Sequence, residues 1–307
     1  MLKTPNYVVI TPARDEAAFI ELTIKSMVGQ SVKPLKWVIV SDGSTDGTDE
    51  IVERYAEQYD WIELIRMPER KERHFGGKVY AFAAGYERVA DLPYLAIGNL
   101  DADTSFDSGY FAYLLDRLDE DAKLGIVGGR LVDFSSDRPR KYTTADPEYV
   151  SGPCQLFRRE CYEGIGGYQP MKSGGVDLVA TLSAKKAGWK VRTFPEIVCH
   201  HHRRMNGAEM SGFRERLHRG RMDYLLGTHP LWEVARSFYQ MKQKPYLIGG
   251  VLILFSYFWQ FLRGATRTMP QELIEFRRRE QMRNLRQRFK RLVPFSDRAT
   301  GTKTRIA

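Results

Sequence analysis

The chain has 307 residues and a hydrophobic content of 43%, enough to bury one large α/β core or two smaller ones, which excludes a disordered polypeptide. Its formal net charge of +9 points to an anionic partner: a nucleotide, a nucleic acid or an acidic membrane surface. Its cysteines, Cys154, Cys161 and Cys199, form no CxxC pair and leave an odd thiol, against a zinc ribbon or a disulfide framework and for a reducing compartment.

In chain order, "YVVITPA" (7–13) reads as a short buried strand that stops in a proline-containing turn. The preceding "MLKTPN" and the charges that follow are unlike a secretory signal, so the catalytic part is expected in the cytoplasm. "EAAFIELTIKSMVGQ" (16–30) has apolar residues at helical spacing. The pattern repeats in "KWVIVSDGSTDGTDEIVERYAEQY", a strand, a glycine turn and a helix, then in "WIELIRM" and "GGKVYAFAAGYERV", and then in the strand "PYLAIGNLDAD". Strands alternating with helices predict a mostly parallel sheet covered on both faces. Beyond Asp103, "KLGIVGGRLVDF" and "YVSGPCQLFRRECYEGIGGY" read as strands with glycine-rich turns, "VDLVATLSAKKAG" as a helix and "WKVRTFPEIVCHHH" as a last strand.

In open sheets of this kind ligands bind beyond the carboxyl ends of the strands, where "PARDE", "SDGSTD" and "DAD" all fall. No GxGxxG follows the first strand and no GxxxxGK[ST] occurs, which removes the common dinucleotide and ATPase phosphate loops. If the strand continued through them, Asp101 and Asp103 would point the same way and could share Mg²⁺ or Mn²⁺, or divide a cation and a sugar hydroxyl between them; the simpler reading is a helix cap. Asp42 is placed to accept a hydrogen bond from a base or ribose, or merely forms an Asx turn. Arg14 could lie on a base or meet a phosphate. Lys78 follows two glycines at a helix start, a position that favours phosphate. Asp177 opens a helix after "SGG", as a cap or as a general base. In "CHHHRR", strand alternation lets either His200 and His202 together or His201 alone face one metal site.

In their order, "VVITPARDEAAFIELTIKSMVGQ", "WVIVSDGSTDGT", "GGKVYAFAAGY", "LDAD", "SGPCQLFRRECYEGIGGY", "VDLVATLSAKKAGWKV" and "CHHHRR" resemble glycosyltransferase family two, the inverting nucleotide-sugar transferases of the GT-A fold. The resemblance runs from about Tyr7 to about Gly207. It implies that Pro12, Arg14 and Glu16 line the nucleotide pocket, that Asp42 reads the base, and that Asp101 lies near the ribose or donor sugar. It further implies that Asp103 ligates the divalent cation with a histidine of the 200–202 group, and that Asp177 deprotonates the acceptor. Val176 stands where the family's glutamate precedes that aspartate, and Ser41 where it has a second aspartate, so the base rests on Asp177 alone. The implied donor is a nucleoside-diphosphate sugar of the UDP or GDP type. The segment "MNGAEMSGFRERLHRGRMDY" is a candidate lid.

Residues 1–230 thus form the expected catalytic domain, 231–295 a helical extension and 296–307 a tail. "PYLIGGVLILFSYFWQFL" (245–262) has 18 uncharged residues, at the lower edge of the roughly 20 that span a bilayer. "PQELIEFRRREQMRNLRQRFKRL" places Met282, Leu285, Phe289 and Leu292 on one helical face among arginines, the pattern of a basic helix on anionic lipid. A membrane-associating extension is therefore expected, with the enzyme at the cytoplasmic face of the cell membrane and a glycan or polyprenyl-linked sugar as acceptor. The surplus positive charge lies here, which favours lipid over nucleic acid as the anionic partner. The rival readings are a nucleotidyltransferase, against which "TPARDEAAF" lacks a basic glycine-rich loop, and a non-catalytic scaffold on the same fold.

Overall fold

The computed structural model describes residues 6–69, 76–133, 140–141, 147–171, 173–203, 212–242 and 246–292. The chain divides into two compact units, Met1–Glu215 and Arg216–Ala307, a boundary earlier than the change in composition near residue 230.

The first unit is built on one sheet. Its opening strands β1 (Tyr7–Ala13), β2 (Lys36–Asp42), β3 (Ile62–Met67) and β4 (Ala96–Leu100) alternate with helices α1 (Ile20–Val28), α2 (Thr48–Ala56) and α3 (Gly76–Glu87). They lie side by side in the order β3-β2-β1-β4, all parallel. The apolar, β-branched runs Val8–Ile10 and Trp37–Val40 are buried on both faces, so they carry no alternation.

After β4 the chain forms β5 (Thr104–Phe106), α4 (Tyr110–Glu120), β6 (Leu124–Asp133), β7 (Arg140–Lys141), β8 (Cys154–Arg158), α5 (Arg159–Gly164), α6 (Val176–Lys186) and β9 (Lys190–His201). The sheet continues β4-β8-β6-β9-β5, with β7 on β6. Here β6–β9 is parallel but β4–β8, β6–β8, β6–β7 and β5–β9 are antiparallel. The expected mostly parallel sheet is therefore a mixed one. The strand-helix alternation on which that expectation rested breaks at β4, where residues 101–103 lead to β5 without a helix, so the chain is released from the crossover that parallel neighbours require. The stretch read as strands around residues 151–168 is likewise one strand followed by the short helix α5.

Two apolar layers flank the sheet. One packs Ile20, Ile24 and Met27 of α1 with Phe111, Leu114 and Leu118 of α4, and the other packs Ala81 and Phe82 of α3 with Ala180 and Ala184 of α6. The α3 layer lies very close to the sheet at Gly85, where an added Cβ would approach Ile10 Cγ2 to 2.6 Å and Val40 Cγ2 to 3.1 Å. This contact sets the depth of α3, whose first turn carries Lys78.

In the second unit, α7 (Gly212–Leu225), which begins at the end of the first, is followed by α8 (Pro230–Gln240), α9 (Ile248–Leu262) and α10 (Gln271–Leu292). The candidate span at 245–262 forms a 15-residue helix, and no described helix is long and apolar enough to cross a membrane. Its inward face carries Gly249, Gly250, Ile253, Ser256 and Tyr257, and Ser256 Oγ donates to Leu217 O at 2.6 Å. The candidate lid is in part α7, and its residues 205–211 lie outside the described residues.

Gly85→Ala is expected to lower stability by about 1–3 kcal/mol in urea unfolding, because overpacking against two β-branched side chains outweighs the gain in helix propensity. An unchanged midpoint would mean that α3 can lift away from the sheet without cost.

Candidate active site

The crevice beyond the carboxyl ends of β1, β2 and β4 encloses a cavity of about 420 Å³. It is lined by Pro12, Ala13, Arg14, Glu16, Asp42, Gly77, Lys78, Ala81, Asp101, Ala102 and Asp103. All the residues assigned to nucleotide binding from the sequence, and Asp103, thus meet in one space of the size that small ligands occupy.

The first wall is the β1–α1 loop. Asp15 has a φ of +53°, a left-handed conformation unusual for a residue with a side chain, and it is held there by the β2–α2 loop. Asp15 N–H donates to Ser44 Oγ, Thr45 N–H to Asp15 Oδ1, Glu16 N–H to Thr48 Oγ1 and Ala17 N–H to Asp46 Oδ2. Gly43 and Gly47 turn that second loop with positive φ. The fastening brings Arg14 Nη1 to 3.9 Å from Asp42 Oδ2 in the wall of the cavity.

The second wall carries the paired acids, which do not continue a strand. β4 ends at Leu100 and β5 begins at Thr104, so Asp101 and Asp103 sit in the connection. Asp101 N–H donates to Pro153 O at 2.8 Å, and its carboxylate is paired with Lys78 Nζ from the first turn of α3. Asp103 is turned the other way: its Oδ2 lies 3.3 Å from His201 Nε2 and 3.8 Å from Arg203 Nε, with its side chain only 8% exposed. Burial alone would raise the pKa of Asp103, but His201, Arg203 and Lys78 outweigh it and hold the carboxyl below its ordinary value.

His200 and His202, expected beside Asp103, flank the histidine whose ring meets its carboxylate, and His202 N–H donates to Asp103 O at 2.8 Å. Thr104 pairs with His201 and Ser105 with His200, which directs the His201 ring to Asp103. His202 Nε2 instead lies 2.7 Å from Ser105 Oγ, and burial lowers the pKa of both His200 and His202. Sequence reasoning also passed over Arg203, which donates to Glu16 Oε2 at 2.6 Å and to Asp15 O at 3.2 Å. Only its place directly after the histidines could have marked it.

Asp177 lies in the first turn of α6 and outside the residues that line the cavity. Its carboxylate accepts a hydrogen bond from Tyr149 Oη and packs against Gly152, where an added Cβ would sit 3.2 Å from Asp177 Cβ. Gly152 O accepts from Asn99 Nδ2 at 2.6 Å, which ties this region to the strand that leads to Asp101. The Tyr168 hydroxyl, which donates to Gln155 Oε1, feels both Asp177 and Asp101. No sequence signal identified Tyr149, which meets Asp177 only through the fold.

A divalent cation of the Mg²⁺ or Mn²⁺ type fits these donors. Asp103 Oδ2 and His201 Nε2 are separated by 3.3 Å. That is close to the roughly 3 Å between adjacent ligands of a small octahedral ion. Among the described residues no group of three or more His, Cys, Asp or Glu is set to hold a metal. The remaining positions would fall to phosphate oxygens and water, the usual arrangement for these ions.

Glu16 is pushed up to about 8 by burial first and then by Asp103, Asp101 and Asp46, with Arg203 opposing. The 2.6 Å contact with Arg203 favours the ionised form, yet the upward direction holds because the side chain is only 14% exposed and three carboxylates surround it. The folded value lies above the unfolded one, so this group destabilises the fold increasingly as pH rises from the unfolded carboxyl range to about 8. Glu16→Gln is expected to lessen the fall in unfolding free energy over that window by on the order of 3 kcal/mol, read from urea titrations at several pH values. Parallel curves for the two proteins would show that Glu16 is ionised throughout.

The family model for glycosyl transferase family 2 matches residues 8–175. The chain is 24% identical over 284 residues to a probable glycosyltransferase, YdaM, of Bacillus subtilis, covering 85% of this chain and 64% of that protein. It is 29% identical over 203 residues to the poly-beta-1,6-N-acetyl-D-glucosamine synthase of Staphylococcus aureus, covering 60% of this chain and 47% of that protein. The chain therefore spans less than two thirds of the length of either relative. The mannosyltransferase PcManGT from Pyrobaculum calidifontis, solved in complex with GDP-Man and Mn²⁺, has the same fold, with a TM-score of 0.56 and 18% identity over 95% of this chain and 88% of that one. Asp177, His201 and Arg203 lie beyond the matched segment, so their roles stand on geometry. With the match covering more than half of the chain, and the paired acids, the Asp42 loop and the Lys78 helix inside it, this protein belongs to glycosyl transferase family 2.

Proposed function

We propose that the protein is an inverting glycosyltransferase that moves a sugar from a nucleoside-diphosphate sugar, with UDP or GDP as the nucleotide, to an acceptor hydroxyl at the cytoplasmic face of a membrane. The observation that carries this reading is one cavity lined by two groups, Arg14 paired with Asp42, and Lys78 paired with Asp101 together with Asp103. A base and ribose suit the first group and a diphosphate the second. The GDP-Man bound to PcManGT and the polysaccharide named in the S. aureus synthase support a nucleotide-sugar donor and a cell-surface glycan as product.

In this reading Arg14 lies against the base, Asp42 accepts a hydrogen bond from the base or ribose, and Asp101 orients the ribose or sugar. Lys78, at the start of α3, holds the diphosphate with the help of the helix dipole. Asp103 and His201 would hold the divalent cation, which when bound supplies positive charge to the departing diphosphate. Asp177 takes the proton of the acceptor hydroxyl as that oxygen forms its bond to the anomeric carbon. The bond from that carbon to the diphosphate oxygen breaks, its electron pair leaves with the nucleoside diphosphate, and the configuration inverts. Tyr149 holds the Asp177 carboxylate in place by its hydrogen bond.

The acceptor is a membrane-bound glycan or a polyprenyl-linked sugar. Support comes from the second unit, where α9 exposes Phe255 at 59%, Trp259 at 46% and Leu262 at 76%, and α10 is rich in arginine. Apolar side chains beside cations suit the surface of an anionic bilayer.

Asp177→Asn is expected to lower kcat by about 10²–10⁴, the usual contribution of a general base, while donor affinity changes less than about twofold. Release of nucleoside diphosphate and calorimetric titration measure the two quantities, and turnover near wild type would remove Asp177 from the base role. In a thermal-shift panel of UDP, GDP, dTDP and CDP with and without Mn²⁺ or Mg²⁺, one nucleotide is expected to raise Tm only with the metal. Asp103→Ala should abolish that rise. A folded protein that responds to none of these ligands would sink the donor assignment.

A further inference from the structure

The second unit holds a larger cavity, about 620 Å³, that the donor chemistry does not use. Its walls include His229, Arg278, Arg279, Arg283 and Arg286, with Met282 among them. No carboxylate is among its lining residues; Arg283 meets Glu280 only at 3.9 Å. The spacing explains the concentration of charge, because Arg279, Arg283 and Arg286 fall at i, i+4 and i+7 on α10 and so share one helix face.

Two groups are fixed in place. Arg278 Nε donates to Gly227 O at 3.0 Å. His229 N–H donates to Gln281 Oε1 at 2.9 Å, and its Nδ1 accepts from Leu231 N–H at 3.2 Å, which leaves Nε2 as the protonated ring nitrogen of the neutral form. His229 also caps α8, whose N-terminal dipole adds positive potential. Burial and then Arg278 lower the pKa of His229, and burial and then Arg267 lower that of Arg278, as expected where cations crowd together.

We infer that this cavity binds the phosphate group of an anionic membrane lipid. Arginine forks and an imidazole N–H match phosphate oxygens. The lipid is favoured over a soluble phosphate because Arg278, Met282, Leu285 and Phe289 follow one another at i, i+4, i+7 and i+11, with Phe289 58% exposed. An apolar stripe that begins at the cavity wall has use for an acyl chain and none for a free anion. The inference rests on the membrane-surface reading above for the source of the phosphate, and on the cavity for the ligand itself.

The test is co-sedimentation of the full chain with phosphatidylcholine vesicles, with or without phosphatidylglycerol. It compares wild type, the variant Arg279→Gln/Arg283→Gln/Arg286→Gln and the control Lys25→Gln/Lys33→Gln/Lys123→Gln, which loses the same charge outside this unit. Binding to anionic vesicles is expected to fall about 100-fold in the arginine variant, the size expected for three cations near a charged surface, and by less than about threefold in the control. Both variants should keep the wild-type Tm and response to donor nucleotide. Wild-type protein that ignores anionic vesicles overturns both the membrane-surface reading and this one. Wild-type binding that the arginine variant retains, or that the control loses equally, overturns the cavity alone. Stabilisation by inorganic diphosphate that only the arginine variant loses, with its vesicle binding intact, overturns the lipid as the source of the phosphate.

Discussion

The first unit depends on the compensation of negative charge at the ends of its strands. Glu16, Asp42, Asp101 and Asp103 are drawn into one crevice, where like charges in partial burial repel and take up protons, as Glu16 does despite Arg203. Each has a cation supplied by a different part of the fold. Arg14 from the end of β1 faces Asp42, Lys78 from α3 faces Asp101, His201 from β9 faces Asp103, and Arg203 reaches both Glu16 and Asp103. The cations are therefore held in place by the fold itself, which reduces the ordering that binding of an anion would require.

This requirement accounts for features that would otherwise look unrelated. The left-handed Asp15 is tolerated because Ser44 and Thr45 over-determine its conformation, and it carries Arg14 and Glu16 on either side into the crevice. Gly85 lets α3 lie against Ile10 and Val40, and so sets where the start of that helix presents Lys78. The antiparallel pairing of β5 with β9 brings a histidine from the far end of the unit to an aspartate that follows β4.

The helical unit uses a related device for a different purpose. Arg236 donates to Glu233 and to Asp223, and the Glu233 side chain is fully buried. Burial and Asp223 raise the pKa of Glu233 against the pull of Arg236. Removing one member of such a cluster leaves an uncompensated buried charge, which is why it fixes the packing of α7 and α8 more firmly than its net energy implies. On α10 the arginines gather around a cavity whose lining residues include no carboxylate.

Much of the crevice was legible because most of its residues lie within a few positions of strand ends, which are marked locally by apolar runs that stop in Gly, Pro, Asp or Ser, and Lys78 follows two glycines at a helix start. Arg14, Asp42, Lys78, Asp101 and Asp103 were found in this way, Pro12 and Glu16 were implied by the family resemblance, and all seven line one cavity. The family resemblance assigned Asp177, whose partner Tyr149 could not be read because the two meet only through packing. The sequence by itself determined the elements of the first half, their parallel pairing and the chemistry of the crevice, since periodicity and turn residues are local properties. The tertiary structure alone decided the antiparallel half of the sheet and the choice of His201 over its neighbours. It also decided the packed form of the apolar stretch near residue 250, because register and burial depend on which distant segment lies opposite.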